Sequence, residues 1–450
     1  MKIEYLKRHN PWWDGKQGIE KDFSISEWKN KKYRWIPEIV NNINMNKGSV
    51  HIITGPRQVG KTTAMKLIIR NLLKVENPEK IVYIRCDELT TSKELVEAIE
   101  LQKSVFDSFE YLFLDEISNV EKWEGTIKNM YDNGELKNAV VIISGSNAIR
   151  IRKSTEYFPG RRGKGKNWIM LPLSFREFIG VVHPELFSKI GRKTDLESED
   201  LKLKAKKLAI HTKELNELLQ KYLMCGGFPH PLENYLTSGI IPHNVNDIYL
   251  SWFVGDILKA GKSEIVGKQI LTALINKMPS VLSWESISKD IEIKSPKTVS
   301  SYVESFQNLY VLFLLYFIEP NKKMIDFSKN KKIHFIDPYL FRIFEHWCIS
   351  DIKNKNEIII ESAVASAIAG YCTKQTDKRI NENVFYWKNG YEIDVVANIG
   401  KELVGFEVKW GKVKGTNKVG KIKKVIYISK DELSLENNLI IPAYIFLALI

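Results

Sequence analysis

The stretch from Gly55 to Thr63, GPRQVGKTT, has the residue types and spacing of a loop that wraps phosphate groups. An apolar strand (HIIT) precedes it and a predicted helix follows it, as such a loop requires. Glycines let backbone N–H groups approach phosphate oxygens, and the helix N-terminus adds the positive end of a dipole. In this pattern Lys61 reaches the β- and γ-phosphates and Thr62 binds Mg²⁺. The sequence therefore predicts a site for ATP and Mg²⁺ formed by Gly55, Pro56, Arg57, Gln58, Val59, Gly60, Lys61, Thr62 and Thr63.

A second apolar strand, YLFLDE, ends in two acids and predicts the other half of this site. Asp115 is expected to hold Mg²⁺, and Glu116 is expected to polarise the attacking water. The alternative is a strand end that merely caps the next helix. Because the acidic strand follows the phosphate loop at a suitable distance, nucleotide binding is the favoured interpretation.

Two further segments carry candidates for the same site. The strand AVVIISGSNA ends in polar residues, and Ser146 is chosen over Ser144 and Asn147 as the residue that senses the γ-phosphate; strand capping is the alternative. The loop FPGRRGKGK offers Arg161 and Arg162, and an arginine from a neighbouring subunit is one way to stabilise phosphoryl transfer. A loop that contacts the DNA backbone and a solvated basic loop stay open as alternatives.

The elements that must position these residues alternate between strand and helix as far as about residue 150. SVHIITG, IVYIRCD, YLFLDE and AVVIISGS are separated by helical segments, which predicts a parallel sheet covered by helices. The fold class is therefore α/β. A Lys- and Glu-rich helical stretch follows, to about residue 258. Short polar linkers then separate the segments that follow it.

Composition sets the wider limits. With 450 residues, the chain is too long for one ordinary core. The net charge of +13 favours a polyanionic partner such as DNA, although a generally Lys-rich proteome would also produce it. Four scattered cysteines and the absence of a signal-peptide pattern indicate the cytoplasm. The apolar C-terminal run IIPAYIFLALI is too short to span a bilayer and is interpreted as a buried last strand, so no membrane association is expected.

The segment from Ser283 to Phe317 predicts a winged helix-turn-helix. A short helix, SWESISKDI, is followed by a turn and by a second helix with Ser295 as its N-cap and Pro296 in its first turn. Polar and basic residues at the start of this second helix are placed to contact DNA, although winged helices also serve as protein contacts. These residues are Lys294, Lys297, Thr298, Ser300 and Ser301.

The stretch GYEIDVVANIGKELVGFEVKW predicts a hairpin interrupted by acids. Asp394 lies in its first strand, and Glu407 and Lys409 share one face of the second, with Val408 expected in the core. Carboxylates around a metal ion, with a lysine near the attacking water, are what phosphodiester cleavage requires. Asp394 and Glu407 are therefore the predicted metal ligands. An ordinary hairpin with a surface Glu–Lys pair is the alternative.

Taken in order, GPRQVGKT, YLFLDEIS, IISGSNA, GRR, LPLSFREF and YLMCGGFP resemble archaeal and bacterial ATPases of the AAA+/STAND type. The opening NPWW resembles the archaeal branch of that group. The resemblance implies an ATPase core, a winged helix and a C-terminal domain related to restriction endonucleases of the PD-(D/E)xK type. It also implies that Glu361 is a fourth member of the Asp394 site, that the segment around Gly226 belongs to lid helices, and that Arg161 or Arg162 acts on an adjacent subunit of a homo-oligomer.

The expected domains are residues 1–170 (N-terminal segment and ATPase core), 171–260 (helical lid), 261–330 (winged helix) and 331–450 (restriction-endonuclease-like domain). The expected function is ATP hydrolysis coupled to action on DNA, with a C-terminal domain that cuts or binds DNA. Two alternatives stay open. One is a nucleotide-dependent signalling switch that engages a protein partner; the other makes the C-terminal domain a protein-binding platform.

Overall fold

The computed structural model describes residues 2–146, 162–196, 199–293, 295–350, 352, 355–376, 382–400, 402–411, 413, 420–436 and 438–450. The predictions for Asn147, Arg161 and Lys294 lie outside these residues. The chain divides into two compact units, Met1–Met170 and Leu171–Ile450. Each unit is described by itself below.

The first unit is built on a parallel sheet in the order β2-β3-β4-β1-β5. Its strands are β1 (Val50–Thr54), β2 (Ile81–Arg85), β3 (Tyr111–Asp115), β4 (Val140–Gly145) and β5 (Asn167–Ile169), and its helices are α1 (Ile3–His9), α2 (Phe23–Asn30), α3 (Ile39–Asn42), α4 (Lys61–Leu72), α5 (Ser92–Phe106) and α6 (Trp123–Asp132). The strands β1 to β4 are short apolar runs because both faces of a parallel sheet are covered. The predicted alternation of strand and helix is confirmed. The strand β4 lies between β1 and β3, so the ends of all three meet at one edge.

The N-terminal NPWW segment closes the outer edge of this sheet. Asn10 donates to the carbonyl of Tyr83 at 2.8 Å and accepts from its N–H at 2.7 Å, as a paired strand would. The indoles of Trp12 and Trp13 both donate to the carbonyl of Ile81 at 3.0 Å. An open strand edge invites pairing with another chain. This segment therefore protects β2.

The second unit begins with a group of helices and ends in a mixed α/β region. Its helices are α7 (Phe175–Val182), α8 (Pro184–Ile190), α9 (Asp200–Leu208), α10 (Thr212–Cys225), α11 (Pro229–Ser238), α12 (His243–Lys259), α13 (Glu264–Lys277), α14 (Trp284–Asp290), α15 (Pro296–Asn308), α16 (Pro338–Cys348), α17 (Lys355–Thr376) and α18 (Ala443–Leu449). Its strands are β6 (Leu312–Glu319), β7 (Met324–Asp326), β8 (Lys332–Phe335), β9 (Val384–Asn389), β10 (Tyr391–Ile399), β11 (Glu402–Lys409), β12 (Ile422–Ser429) and β13 (Leu439–Pro442).

These eight strands form one sheet in the order β13-β12-β11-β10-β9-β6-β7, with β8 paired to β6. The strand β10 is antiparallel to both β9 and β11, whereas β12 is parallel to β11, β13 is parallel to β12 and β9 is parallel to β6. The strand β6 pairs with β7, β8 and β9. The sheet is therefore continuous across residue 330, from the segment predicted as a winged helix into the segment predicted as endonuclease-like.

The prediction for the C-terminal run is wrong in part. Leu439–Pro442 is a strand, but Ala443–Leu449 is a helix, and all seven of its residues are buried. A helix that is apolar all round shows no helical periodicity in the sequence, so its pattern cannot be told from that of a buried strand. Across the described part of the chain, no helix combines the length and apolarity needed to cross a membrane.

The glycines of the YLMCGGFP segment allow three chain segments to meet. Gly226 has a φ of +63°, and a Cβ there would lie 2.0 Å from Oδ1 of Asp337. A Cβ at Gly227 would lie 2.0 Å from the carbonyl oxygen of Leu173. The N–H of Gly227 donates to Oδ2 of Asp337 at 2.8 Å, and its carbonyl accepts from the N–H of Leu173 at 2.9 Å. Any larger residue at either position would separate these segments.

Candidate functional site

The loop between β1 and α4 has the backbone that the phosphate-loop pattern predicts. Gly55 has a φ of +155°, and a Cβ there would lie 2.1 Å from the carbonyl oxygen of Met170, so only glycine fits. Gly60 adopts a left-handed conformation and directs the chain into the helix that begins at Lys61. Nζ of Lys61 donates to the carbonyls of Gly55 at 3.1 Å and Pro56 at 2.9 Å. The lysine thus folds back over the loop, and burial lowers the pKa of its ammonium, while Glu116 and Asp115 oppose this effect.

Three hydroxyl groups converge on Asp115 at the end of β3. Thr62, the second residue of α4, donates to its Oδ2 at 2.6 Å, and Tyr83 donates to the same oxygen at 2.7 Å. The hydroxyl of Ser144 donates to Oδ1. Asp115 is only 3% exposed, so these bonds fix both carboxylate oxygens beside the N-terminus of α4.

Glu116 follows with a left-handed backbone, which turns its side chain away from that of Asp115. Its Oε2 accepts from the N–H of Ser146 at 3.2 Å and from the Ser146 hydroxyl at 3.0 Å. Its Oε1 lies 3.7 Å from Nζ of Lys61. The structure thus brings Ser146 to Glu116, and Ser144 to Asp115, at the tip of β4.

Tyr83 and Lys66 belong to this region, although neither is part of a recognised sequence motif. The ammonium of Lys66 is 3% exposed, lies 3.0 Å from Oδ2 of Asp22 and sits 3.4 Å from the ring centroid of Tyr83. It also lies 4.8 Å from the ring centroid of Trp12. These contacts connect the N-terminal segment to Asp115 through Tyr83. The only signal in the sequence was a lysine on the apolar face of α4.

Arg162 lies far from the phosphate loop of its own chain. Its Nε donates to the carbonyl of Val50 at 3.3 Å, and the N–H of Val50 donates to the Arg162 carbonyl at 3.2 Å. Val50 is the first residue of β1, whereas the loop follows the last residue of that strand, Thr54. Four residue steps along a strand span about 13 Å. Arg162 therefore lies beside the end of β1 that is opposite the phosphate loop.

The C-terminal hairpin places Asp394 at an irregularity of the sheet. The pairing of β9 with β10 shifts register between Ile393 and Val396, and such a bulge re-aims the side chains within it. Oδ2 of Asp394 accepts from the N–H of Val408 at 2.8 Å. On β11, Glu407 is 1% exposed and its Oε1 lies 2.6 Å from Nζ of Lys409. Val408 is half-buried rather than part of the core, whereas its neighbour Glu407 is buried, so the prediction that Val408 lies in the core is wrong.

A lysine that the sequence analysis did not select lies at the centre of this region. Lys332, the first residue of β8, is 1% exposed, and its Nζ lies 2.6 Å from Oδ1 of Asp394. It also lies 2.7 Å from Oε1 of Glu361 and 2.8 Å from Oε1 of Glu392. Burial and the neighbouring Asp394 raise the pKa of Glu361 to about 8, although Lys332 opposes this shift. Glu361 and Asp394 are thus brought together, but around an ammonium group.

The two candidate metal sites differ in how well they fit a divalent ion. At the phosphate loop, the Thr62 hydroxyl and Oδ2 of Asp115 lie 2.6 Å apart at the helix N-terminus, which is the oxygen set that Mg²⁺ takes beside a triphosphate. The C-terminal carboxylates do not fit as they are arranged, because Lys332 and Lys409 already contact them. No group of three or more His, Cys, Asp or Glu among the described residues is arranged to hold a metal ion.

Two family models match the chain. An AAA domain matches residues 47–179, and a domain of unknown function matches residues 216–346. The first match covers the phosphate loop, Asp115, Glu116 and the whole parallel sheet. Residues 47–179 therefore have the P-loop fold of an AAA domain, and a further α/β region follows it.

Similar chains occur in archaea. The uncharacterised protein MJ1637 of Methanocaldococcus jannaschii is 26% identical over 95% of this chain and 91% of its own length. The uncharacterised protein MJ1544 of the same organism is 26% identical over 89% of this chain and 83% of its own length. Among solved structures, the Walker-type ATPase PABY2304 of Pyrococcus abyssi has 12% identity and a TM-score of 0.40, covering 67% of this chain and 91% of that one. The ORC2 protein of Aeropyrum pernix has 11% identity and a TM-score of 0.36, covering 73% and 94%. Both TM-scores are low, so the fold assignment is based on the AAA match and the sheet order.

Proposed function

We propose that this protein is an ATPase that uses nucleotide binding and hydrolysis to change its hold on DNA. The observation that carries the ATPase half is the convergence of Lys61, Thr62, Asp115 and Glu116 at one edge of the parallel sheet. The Thr62 hydroxyl lies 2.6 Å from Asp115, and Lys61 lies 3.7 Å from Glu116, although these pairs are more than fifty residues apart in the chain. The AAA match over residues 47–179 supports the same conclusion.

Each residue then has a separate task. Backbone N–H groups from Gly55 to Gly60 wrap the phosphates, and the ammonium of Lys61 moves from the loop carbonyls to the terminal phosphates. Thr62 and Asp115 hold Mg²⁺, which when bound neutralises charge on the phosphate oxygens. Glu116 polarises the attacking water, and Ser146 orients Glu116. Because Arg162 lies at the far end of β1 in its own chain, we propose that it, or Arg161, acts on the nucleotide of an adjacent subunit in a homo-oligomer.

The proposal for DNA rests on the segment from α13 to β8. Three helices are followed by the β6–β7 hairpin, which is the order of elements in a winged helix. Lys297 is exposed in the first turn of α15, and Lys322 and Lys323 are exposed in the turn between β6 and β7. A recognition helix and a wing that both present ammonium groups suit a phosphate backbone. The net charge of +13 is consistent with this partner.

ATP turnover measured with and without duplex and single-stranded DNA tests both halves. The wild type should hydrolyse ATP steadily and respond to DNA, and Lys61→Ala should do neither. Lys322→Glu should weaken DNA binding. It should also make the slope of log affinity against log salt concentration shallower, by the equivalent of about one or two phosphate contacts. The matched control is Lys93→Glu, since Lys93 is a well-exposed lysine on α5 of the other unit. Loss of DNA binding in both variants alike would contradict a specific role for the wing.

One observation favours the signalling switch as a second candidate. Ser146 holds Glu116 through two hydrogen bonds to one carboxylate oxygen, which restrains the residue expected to activate water. A switch would use that restraint to keep bound nucleotide intact. Slow turnover and nucleotide that remains bound through purification would support the switch, whereas rapid turnover stimulated by DNA would support the first proposal.

The endonuclease-like interpretation of the C-terminal region stays a prediction. The helix α17 followed by β9, β10 and β11 carries Glu361, Asp394, Glu407 and Lys409 in the predicted order. Plasmid cleavage in Mg²⁺ or Mn²⁺, compared between the wild type and Asp394→Ala, tests it. Equal activity in the two proteins would remove the nuclease interpretation.

A further inference from the structure

The carboxylates at the C-terminal hairpin surround a cation that the chain itself provides. Nζ of Lys332 lies within 2.6–2.8 Å of one oxygen from each of Glu361, Glu392 and Asp394. The ammonium donates hydrogen bonds to Glu392 and Asp394, and its contact with Glu361 is an ion pair. We propose that Lys332 is the resident cation of this cluster and takes the place of a divalent metal ion.

Burial makes the ion pairs of this cluster costly to break. Lys332 is 1% exposed, and its carboxylate partners Glu361 and Asp394 are 10% and 12% exposed. Three carboxylates that are buried without a cation would destabilise the fold. Removing one partner of a buried ion pair typically costs about 3–5 kcal/mol. The ammonium therefore cannot leave the cluster without a replacement cation.

The remaining oxygens of two of these acids are also engaged. Oδ2 of Asp394 accepts from the N–H of Val408 at 2.8 Å, and Oε2 of Glu392 lies 2.7 Å from Nζ of Lys388. A divalent ion would need to approach the inner oxygens to about 2.0–2.5 Å. The point that lies close to all three inner oxygens is occupied by Nζ.

The lysine and the acids lie on different elements of the second unit. Lys332 begins β8, which pairs with β6, whereas Glu361 lies on α17 and the other two acids lie on β10. The cluster therefore connects β8 to α17 and β10 by ionic contacts. An ammonium group does not activate a bound water molecule as a metal ion does, so the cluster holds the fold together and does not supply a nucleophile.

Manganese binding measured by electron paramagnetic resonance, without nucleotide, tests this inference independently of any activity. All proteins carry Asp115→Asn so that the phosphate-loop acid does not contribute. The chain with Lys332 intact should leave Mn²⁺ free in solution. Lys332→Met keeps the length of the side chain, removes its charge and should bind one Mn²⁺ per chain, with binding tighter by about tenfold or more. Adding Asp394→Asn to Lys332→Met should abolish the new site, and Mn²⁺ should raise the thermal stability of Lys332→Met alone.

The matched control is Lys388→Met. This lysine also contacts Glu392, but it is 48% exposed and does not reach the other acids, so its removal should create no manganese site. Manganese binding by the chain with Lys332 intact that disappears in Asp394→Asn would overturn the proposal. A folded Lys332→Met variant that binds no Mn²⁺ would also overturn it. If Lys332→Met does not fold, the comparison between intact Lys332 and Asp394→Asn decides the question. Because the phosphate-loop carboxylate is removed from every protein and no nucleotide is added, the result is independent of the proposed ATPase function.

Discussion

Replacing Tyr83 by phenylalanine removes one hydroxyl from the proposed magnesium site and leaves its packing in place. The ring keeps its contact with the ammonium of Lys66, whose Nζ lies 3.4 Å from the ring centroid. The lost hydroxyl donates to Oδ2 of Asp115 at 2.7 Å. Burial and the nearby Asp115 raise the pKa of Tyr83 well above its usual range, so this hydroxyl is a donor at any pH suitable for an assay.

The size of the effect follows from the hydrogen bonds that remain. A hydrogen bond to a charged group contributes about 1.5–3 kcal/mol. Asp115 keeps the donors Thr62 and Ser144, so the loss should lie at the lower end of this range. About 1.4 kcal/mol corresponds to a factor of ten in affinity. Mutations of residues that orient a metal ligand typically reduce metal affinity by about 10–100-fold, and a tenfold loss lies within this range.

The assay is ATP hydrolysis at a fixed ATP concentration and increasing free Mg²⁺. Tyr83→Phe should raise the Mg²⁺ concentration needed for half-maximal rate about tenfold, with a rate near that of the wild type at saturating Mg²⁺. Nucleotide binding without Mg²⁺ should not change. Tyr111→Phe is the matched control, because the Tyr111 hydroxyl donates to Glu76 at 2.8 Å and does not contact Asp115. An unaltered magnesium dependence in Tyr83→Phe, or an equal change in both variants, would refute the assignment.

Two further predictions concern stability. Gly226→Ala should lower the free energy of unfolding by about 2–5 kcal/mol, because alanine is strained at φ +63°, ψ −161° and its Cβ would clash with Asp337. Gly239→Ala, in a left-handed conformation with open space around it, should cost only the backbone strain of about 1–2 kcal/mol in denaturant titrations. His51 should make the protein lose stability as the pH falls from about 6.5 towards 4, because burial lowers its pKa to about 4 in the folded state and the unfolded state takes up the proton first. Unfolding measured from pH 7.5 to 5 should show a shallower loss in His51→Gln than in the wild type, and parallel curves would contradict this.

The parallel sheet of the first unit was predictable because each strand is an uninterrupted apolar run and each helix has its own signal. The phosphate loop added a motif whose glycines, such as Gly55 and Gly60, are required by local backbone geometry. Such features depend on neighbours in the sequence. The strand order, with β4 between β1 and β3, agrees with the fold class expected from the same motifs.

Tyr83 and Lys332 could not be predicted in the same way, because their roles depend on contacts between distant segments. Tyr83 meets Asp115 across 32 residues, and Lys332 meets Asp394 across 62. Neither residue belongs to a motif, and a lysine in an apolar strand has no local feature that identifies its partners. The C-terminal helix was missed for a different reason, since a helix that is buried on every side carries the same apolar pattern as a buried strand.

The continuity of the second sheet also determines how the DNA and cluster proposals can be separated. The strand β6 leads into the turn that carries Lys322 and Lys323, and Tyr316 and Phe317 of the same strand pair with β9. Its other end pairs with β8, which begins at Lys332. A chain cut near residue 330 would therefore separate β6 from β8 and β9, and would leave parts of these strands as open edges in both fragments. Because such a fragment would lose DNA binding for reasons of folding alone, Lys322→Glu and Lys332→Met are informative only when each is made in the whole chain.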